Sequence, residues 1–220
     1  MLPLNLSANE ARIIGCLMEK SVTTPDQYPL TLNSLTSACN QKSSRDPVMA
    51  LDKGVVQRTA NELRDKHLLR GEENFKTGME RYLQRFCNTQ LADYQFDSAQ
   101  FAIICLMLLR GAHTPGELRA RSGRLHTFAD NEAVEDALTT LFEWQGNPLV
   151  AQLPRTPGRR DAEYMHLFFG PIDVTAQAAP AKATTNRAIP TAGGESELEL
   201  RVSKLEAEVA ELKARLQQEK

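Results

Sequence analysis

Hydrophobic residues recur along the chain at helical spacing, broken by polar and proline-bearing stretches. Ile13, Ile14, Leu17 and Met18 mark the buried stripe of a first helix. Ser7 and Glu10 supply an S-x-x-E capping box that starts it, and it runs to about residue 20. Residues 21–30 hold Pro25 and Pro29 and so are not helical throughout. Thr31 can cap a second helix through Leu32, Leu35 and Ala38. A polar break at 43–47 follows, and Val56, Ala60 and Leu63 then share one face of a helix spanning about 53–66. Leu68, Leu69, Gly71 and Gly78 introduce a hairpin that ends in a strand at 81–86. The order is helix, helix, helix, hairpin.

The second half repeats it. Ile14, Cys16, Leu17 and Met18 are echoed by Ile103, Cys105, Leu106 and Met107. The offset falls from 89 residues at Ile14/Ile103 to 83 at Thr31/Thr114 and 78 at Val56/Val134, as an old duplication with unequal loops would give. Asp97 caps a helix through Phe101, Ile104, Cys105 and Leu108. Thr114, Pro115 and Glu117 start a second with proline in its first turn, and Val134, Leu138 and Leu141 are buried by a third over about 131–144. The expected fold is therefore mainly α with small β-hairpins (α+β): two tandem winged helix-turn-helix domains, 1–92 and 93–172. An Ala/Thr/Pro-rich linker at 173–195 and a C-terminal helix at 196–220 complete the chain. That helix carries heptads, with Val202, Val209 and Leu216 at a and Leu198, Leu205 and Leu212 at d, a pattern favouring a parallel two-stranded coiled coil and hence a homodimer.

Charge argues against a globally basic nucleic-acid binder. The net charge is −2, and basic against acidic residues number 12 to 11 over 1–95, 7 to 9 over 96–172 and 7 to 8 over 173–220. Any attraction to phosphate must come from a local patch. The third helix of the first module offers one. Its polar positions include Lys53, Gln57, Arg58, Asn61 and Arg64, and Gln and Asn suit adenine as Arg suits guanine. Lys42 and Arg45 before it and Lys76 in the hairpin are phosphate candidates, although Glu72 and Glu73 weaken that hairpin as a clamp. The corresponding helix of the second module carries Glu132, Glu135, Asp136 and Glu143 without Lys or Arg and would be repelled by DNA. Its module holds basic residues elsewhere, at Arg119, Arg121, Arg124, Arg155, Arg159 and Arg160, suited equally to phosphates or to an acidic partner.

Other classes find little support. No apolar run approaches the roughly 18 residues of a membrane span, and residues 1–6 do not resemble a signal peptide, so a cytoplasmic protein without membrane contact is expected. Cys16, Cys39, Cys87 and Cys105 lack C-x-x-C spacing and read as reduced core thiols. His67, His113, His126 and His166 are scattered singly, and phosphate-loop, dinucleotide and nucleophile-elbow motifs are missing. Neither enzyme activity nor a cofactor or metal is expected.

The runs 6–12, 24–35 and 38–47, together with Leu109-Arg110-Gly111 and His113-Thr114-Pro115-Gly116-Glu117-Leu118, closely resemble the bacterial YceH family over about residues 5–170. The resemblance implies a pair of winged-helix domains in a cytoplasmic protein and carries no catalytic or ligand residues to transfer. The expected function is a DNA-binding, regulatory winged-helix dimer acting on double-stranded DNA. The alternative is a protein-interaction or scaffold module with a protein partner.

Overall fold

The computed structural model describes residues 4–74, 78–155 and 161–170. The first helix, α1 (Ala8–Thr23), begins where the capping box is expected: Ser7 Oγ accepts from the Glu10 amide, and the Glu10 carboxylate accepts from the Ser7 amide at 2.8 Å. A 3-10 turn at Pro25–Gln27 and a two-residue strand, β1 (Leu30–Thr31), occupy the proline-bearing loop. Thr31 caps α2 (Leu32–Cys39), and α3 (Lys53–Asp65) follows the long polar connection. Strands β2 (Leu69–Asn74) and β3 (Met79–Gln84) form an antiparallel hairpin. Leu30 pairs with Tyr82 and Thr31 with Arg81, giving a three-stranded sheet ordered β1-β3-β2.

The second half runs α4 (Ser98–Arg110), α5 (Pro115–Ser122), α6 (Asn131–Phe142), β4 (Val150–Gln152) and β5 (Tyr164–His166), the last two pairing antiparallel. Asp97 with Gln100 and Thr114 with Glu117 form reciprocal capping boxes. The chain is thus a mixed α/β protein of six α-helices and small antiparallel sheets among the described residues. None of those helices is long and apolar enough to cross a membrane.

The halves meet through their first helices. α1 is buried from Glu10 to Glu19 and α4 from Gln100 to Leu109, and the two pack directly together. Gly15 permits the approach: a Cβ there would lie 2.8 Å from Leu109 Cδ2 and 3.2 Å from Leu108 Cβ. Buried Arg12 ties the same region together, donating to the carbonyls of Cys39 at 3.1 Å, Pro47 at 2.7 Å and Leu109 at 3.4 Å. Two of those carbonyls belong to the last turns of α2 and α4, where a cation complements the helix dipole. Around the expected boundary at 92/93 the chain is anchored in an aromatic cluster. Phe86 lies 5.1 Å from Tyr94 and 5.0 Å from Phe168, and Phe96 packs edge-on against Trp144. Leu6 donates its amide to Phe168 at 2.7 Å, joining the first described residues to the last. All four cysteines are buried and unbridged, in line with core thiols.

Residues 173–195, the heptad residues of 196–220, Lys76, Arg159 and Arg160 lie outside the described residues.

Candidate nucleic-acid interface

The start of α3 is fixed by one side chain. Asn40, at the end of α2, donates its amide to the Leu51 carbonyl at 2.8 Å and accepts from the Leu51 amide at 2.7 Å, closing the connection before the helix begins. Val56, Thr59, Ala60 and Leu63 then bury one face of α3, turning Lys53, Arg58, Asn61 and Arg64 outward.

Side-chain hydrogen bonds join this outward face to β3. Arg64 pairs with Glu80. The Tyr82 hydroxyl donates to Glu80 Oε2 at 2.7 Å and accepts from Gln57 Nε2 at 2.9 Å; Gln57 also donates to Asn61 Oδ1 at 3.3 Å. Burial, together with the bond to Glu80, raises the Tyr82 pKa, so the hydroxyl keeps the proton that it donates. Helix and hairpin are thereby held in one orientation. The same network employs Gln57 and Arg64 internally and occupies one acceptor of Asn61. No hydrogen bond or ion pair to a described residue engages the side chains of Lys42, Lys53 or Arg58, all three of them exposed.

Arg45 departs from expectation. Its guanidinium is buried, with Nη2 2.7 Å and Nη1 3.3 Å from the two carboxylate oxygens of Glu19, and Nε donates to the Ala38 carbonyl at 3.1 Å. A side chain so enclosed is not presented to an external phosphate, and Arg45 leaves the contact set. Burial alone would raise the Glu19 pKa, but the Arg45 fork and Lys20 outweigh it and hold the carboxyl below its ordinary value.

In the second half, Arg119, Arg121 and Arg124 are exposed on α5 and the turn after it. Arg155 lies apart from them, in a cleft beside Pro115 and Gly116 at the other end of α5. The described basic residues of this set therefore do not form one patch. The acidic side chains Glu132, Glu135, Asp136 and Glu143 on and just after α6 are exposed.

Sequence reasoning passed over Glu19, Arg110 and Tyr82. A signal existed for the first: Arg12, Cys16 and Glu19 share one face at i, i+4 and i+7, so a carboxylate continues a stripe that is otherwise buried. Glu19 then needs a cation, which Arg45 supplies.

Residues 6–159 match the family described as Protein of unknown function, DUF480. A UPF0502 protein of Shewanella woodyi is 51% identical over 216 residues, covering 97% of this chain and 98% of its own length. A UPF0502 protein of Photobacterium profundum is 49% identical over 216 residues, covering 97% of each chain. A third, from Cronobacter sakazakii, is 48% identical over 212 residues, covering 96% of this chain and 94% of its own. Through a match to most of its length and relatives of near-equal extent, the chain belongs to the DUF480/UPF0502 family of bacterial proteins.

Proposed function

We propose that this protein is a cytoplasmic DNA-binding regulator built from two tandem winged-helix modules, 1–92 and 93–172, acting through α3 as a homodimer. Arg58, exposed and paired with no described residue, stands with Asn61 on the outward face of a third helix whose orientation is fixed to a hairpin by the Gln57–Tyr82–Glu80–Arg64 network, and this observation supports the reading. In this docking, α3 enters the major groove, Arg58 meets a guanine edge and Asn61 an adenine, while Lys53 and Lys42 contact phosphates. Gln57 supports Asn61 rather than reading a base itself. The role is one of binding rather than catalysis.

The test is fluorescence-anisotropy titration of the full-length protein with mixed genomic duplex fragments at low and physiological salt. Binding that weakens steeply with salt is expected, and Lys53→Ala should lower the slope of log K against log salt by about one. A Lys53→Ala slope equal to that of the wild type removes this residue from the interface.

A second reading is favoured by the exposed acidic face of α6 and a net charge of −2: the modules dock a basic protein surface and touch no DNA. Lack of duplex binding even at low salt, with a partner retained after nuclease treatment, supports this second reading.

A further inference from the structure

A cleft between the halves gathers more positive charge than its buried carboxylate requires. Glu19 is 6% exposed and already held by the Arg45 fork, with Lys20 Nζ 3.4 Å from Oε2. Arg124 nonetheless reaches the same carboxylate, 3.7 Å from Oε1, although 70% of its side chain is exposed. Arg110, from the end of α4, and Arg121, from α5, line the cleft with it, and Thr23 and Ser44 add hydroxyl groups. The remaining carboxylates close by are Glu117, 3.5 Å from Arg121, and Asp46, whose charge acts on Arg110. Three cations, Arg110, Arg121 and Arg124, thus line a cleft whose one lining carboxylate among the described residues, Glu19, is already paired with Arg45 and Lys20.

Arg110 is the key residue. Burial lowers its pKa and the like charge of Arg121 lowers it further, so the two guanidiniums repel one another at this opening. An oxyanion seated between them offsets that repulsion by attracting both, and guanidinium forks match its paired oxygens. The enclosed part of the cleft has room for about one water molecule, which places the anion at the mouth, where Arg121 and Arg124 are exposed and can close on it.

We propose that the Arg110–Arg121–Arg124 cleft binds a phosphate group, carried either by a small phosphorylated ligand or by the backbone of a nucleic acid. The site is separate from Arg58 and stands without the α3 reading. Because the cleft is built from α1 and the loop after α2 on one side and α4 and α5 on the other, the bound phosphate bridges the two halves.

The experiment titrates inorganic phosphate into the full-length protein at constant ionic strength, balanced with chloride, and follows binding by calorimetry. Wild type, Arg110→Gln and Arg124→Gln are compared. Saturable binding is expected in the wild type, with affinity at least tenfold lower in each variant that keeps the wild-type circular dichroism spectrum. If Arg110→Gln fails to fold, the largely exposed Arg124→Gln carries the comparison. In parallel, duplex DNA is titrated at several salt concentrations. A salt slope reduced by about one in the variants identifies the phosphate as backbone, whereas an unchanged slope with weakened inorganic phosphate identifies a small ligand. The proposal is overturned if the variants change neither the phosphate affinity nor the salt slope.

Discussion

Arg45 and Glu19 illustrate how a charge in a polar-looking stretch of sequence can serve the interior. Arg45 sits among Lys42, Ser43, Ser44 and Asp46, and nothing in that run announces burial; only the packing of α1 and α2 beneath the loop encloses it. Removing Arg45 takes the hydrogen-bonded fork from Glu19 and leaves only the longer contacts of Lys20 and Arg124, so Arg45→Ala should destabilise the protein by about 1–3 kcal/mol, read by urea denaturation. If the loss is below about 1 kcal/mol, the pair is not the internal tie described here. His166 offers a pH readout. Its Nδ1 accepts from the Phe168 amide at 3.2 Å, so Nε2 carries the proton and is buried without a hydrogen-bond partner among the described residues. Burial lowers its pKa from 6.5 to about 4. The unfolded chain takes up that proton between these values while the folded chain does not, so the contribution is full above pH 6.5 and fades as pH falls towards 4, about 3 kcal/mol in all. In His166→Gln the stability change across that window should flatten by roughly one proton; an unaltered pH profile contradicts the assignment. Glu10 and Glu19, both held below the ordinary carboxylate value, lose their contributions as pH falls still lower.

Among elements, helix starts were the most legible because they are written in adjacent residues: Ser7/Glu10, Asp97/Gln100 and Thr114/Glu117 each close a reciprocal box. The strand β1 was not legible. Two residues carry no period of their own, and Leu30–Thr31 is extended because β3 offers it an edge. Nor does sequence alone reveal that α3 is tied to β3, since the link joins Gln57 and Arg64 to residues in a hairpin whose register must first be known. The α1–α4 contact had one usable sign: residues 101–109 are apolar on nearly every side, as a helix enclosed all round must be. Gly15 is its pivot. Gly15→Ala adds helix propensity of about 1 kcal/mol but forces Leu109 and Leu108 aside, an overpacking cost of about 1–3 kcal/mol. A net loss of up to about 2 kcal/mol is expected in chemical denaturation, and a more stable variant would show that the helices can separate without penalty.

At the scale of the molecule, the repeated order of helices and hairpin was visible from spacing and caps, whereas the shared core was not, because two modules on a string and two modules packed together write the same local pattern. The structure joins the halves through α1, α4 and the aromatic cluster around Phe86 and Phe168. The near-balance of charge was also plain in the sequence, but its placement was not: α3 displays Arg58 and Lys53, neither paired with a described residue, while Arg121 and Arg124 stand at one end of α5 and Arg155 at the other. Oligomerisation is proposed to rest on the heptads at 196–220, beyond the described residues. Deleting that segment should halve the mass in sedimentation velocity, and an unchanged mass rejects the coiled-coil dimer. The central proposal is that nucleic acid is bound by the outward face of α3. Its most direct measurement compares wild type with Arg58→Ala on a duplex chosen from the bound genomic fragments, at physiological salt. A loss of about 1–3 kcal/mol is expected for Arg58→Ala on the specific duplex and much less on an unrelated one. Equal affinity of the two proteins for the chosen duplex would contradict it.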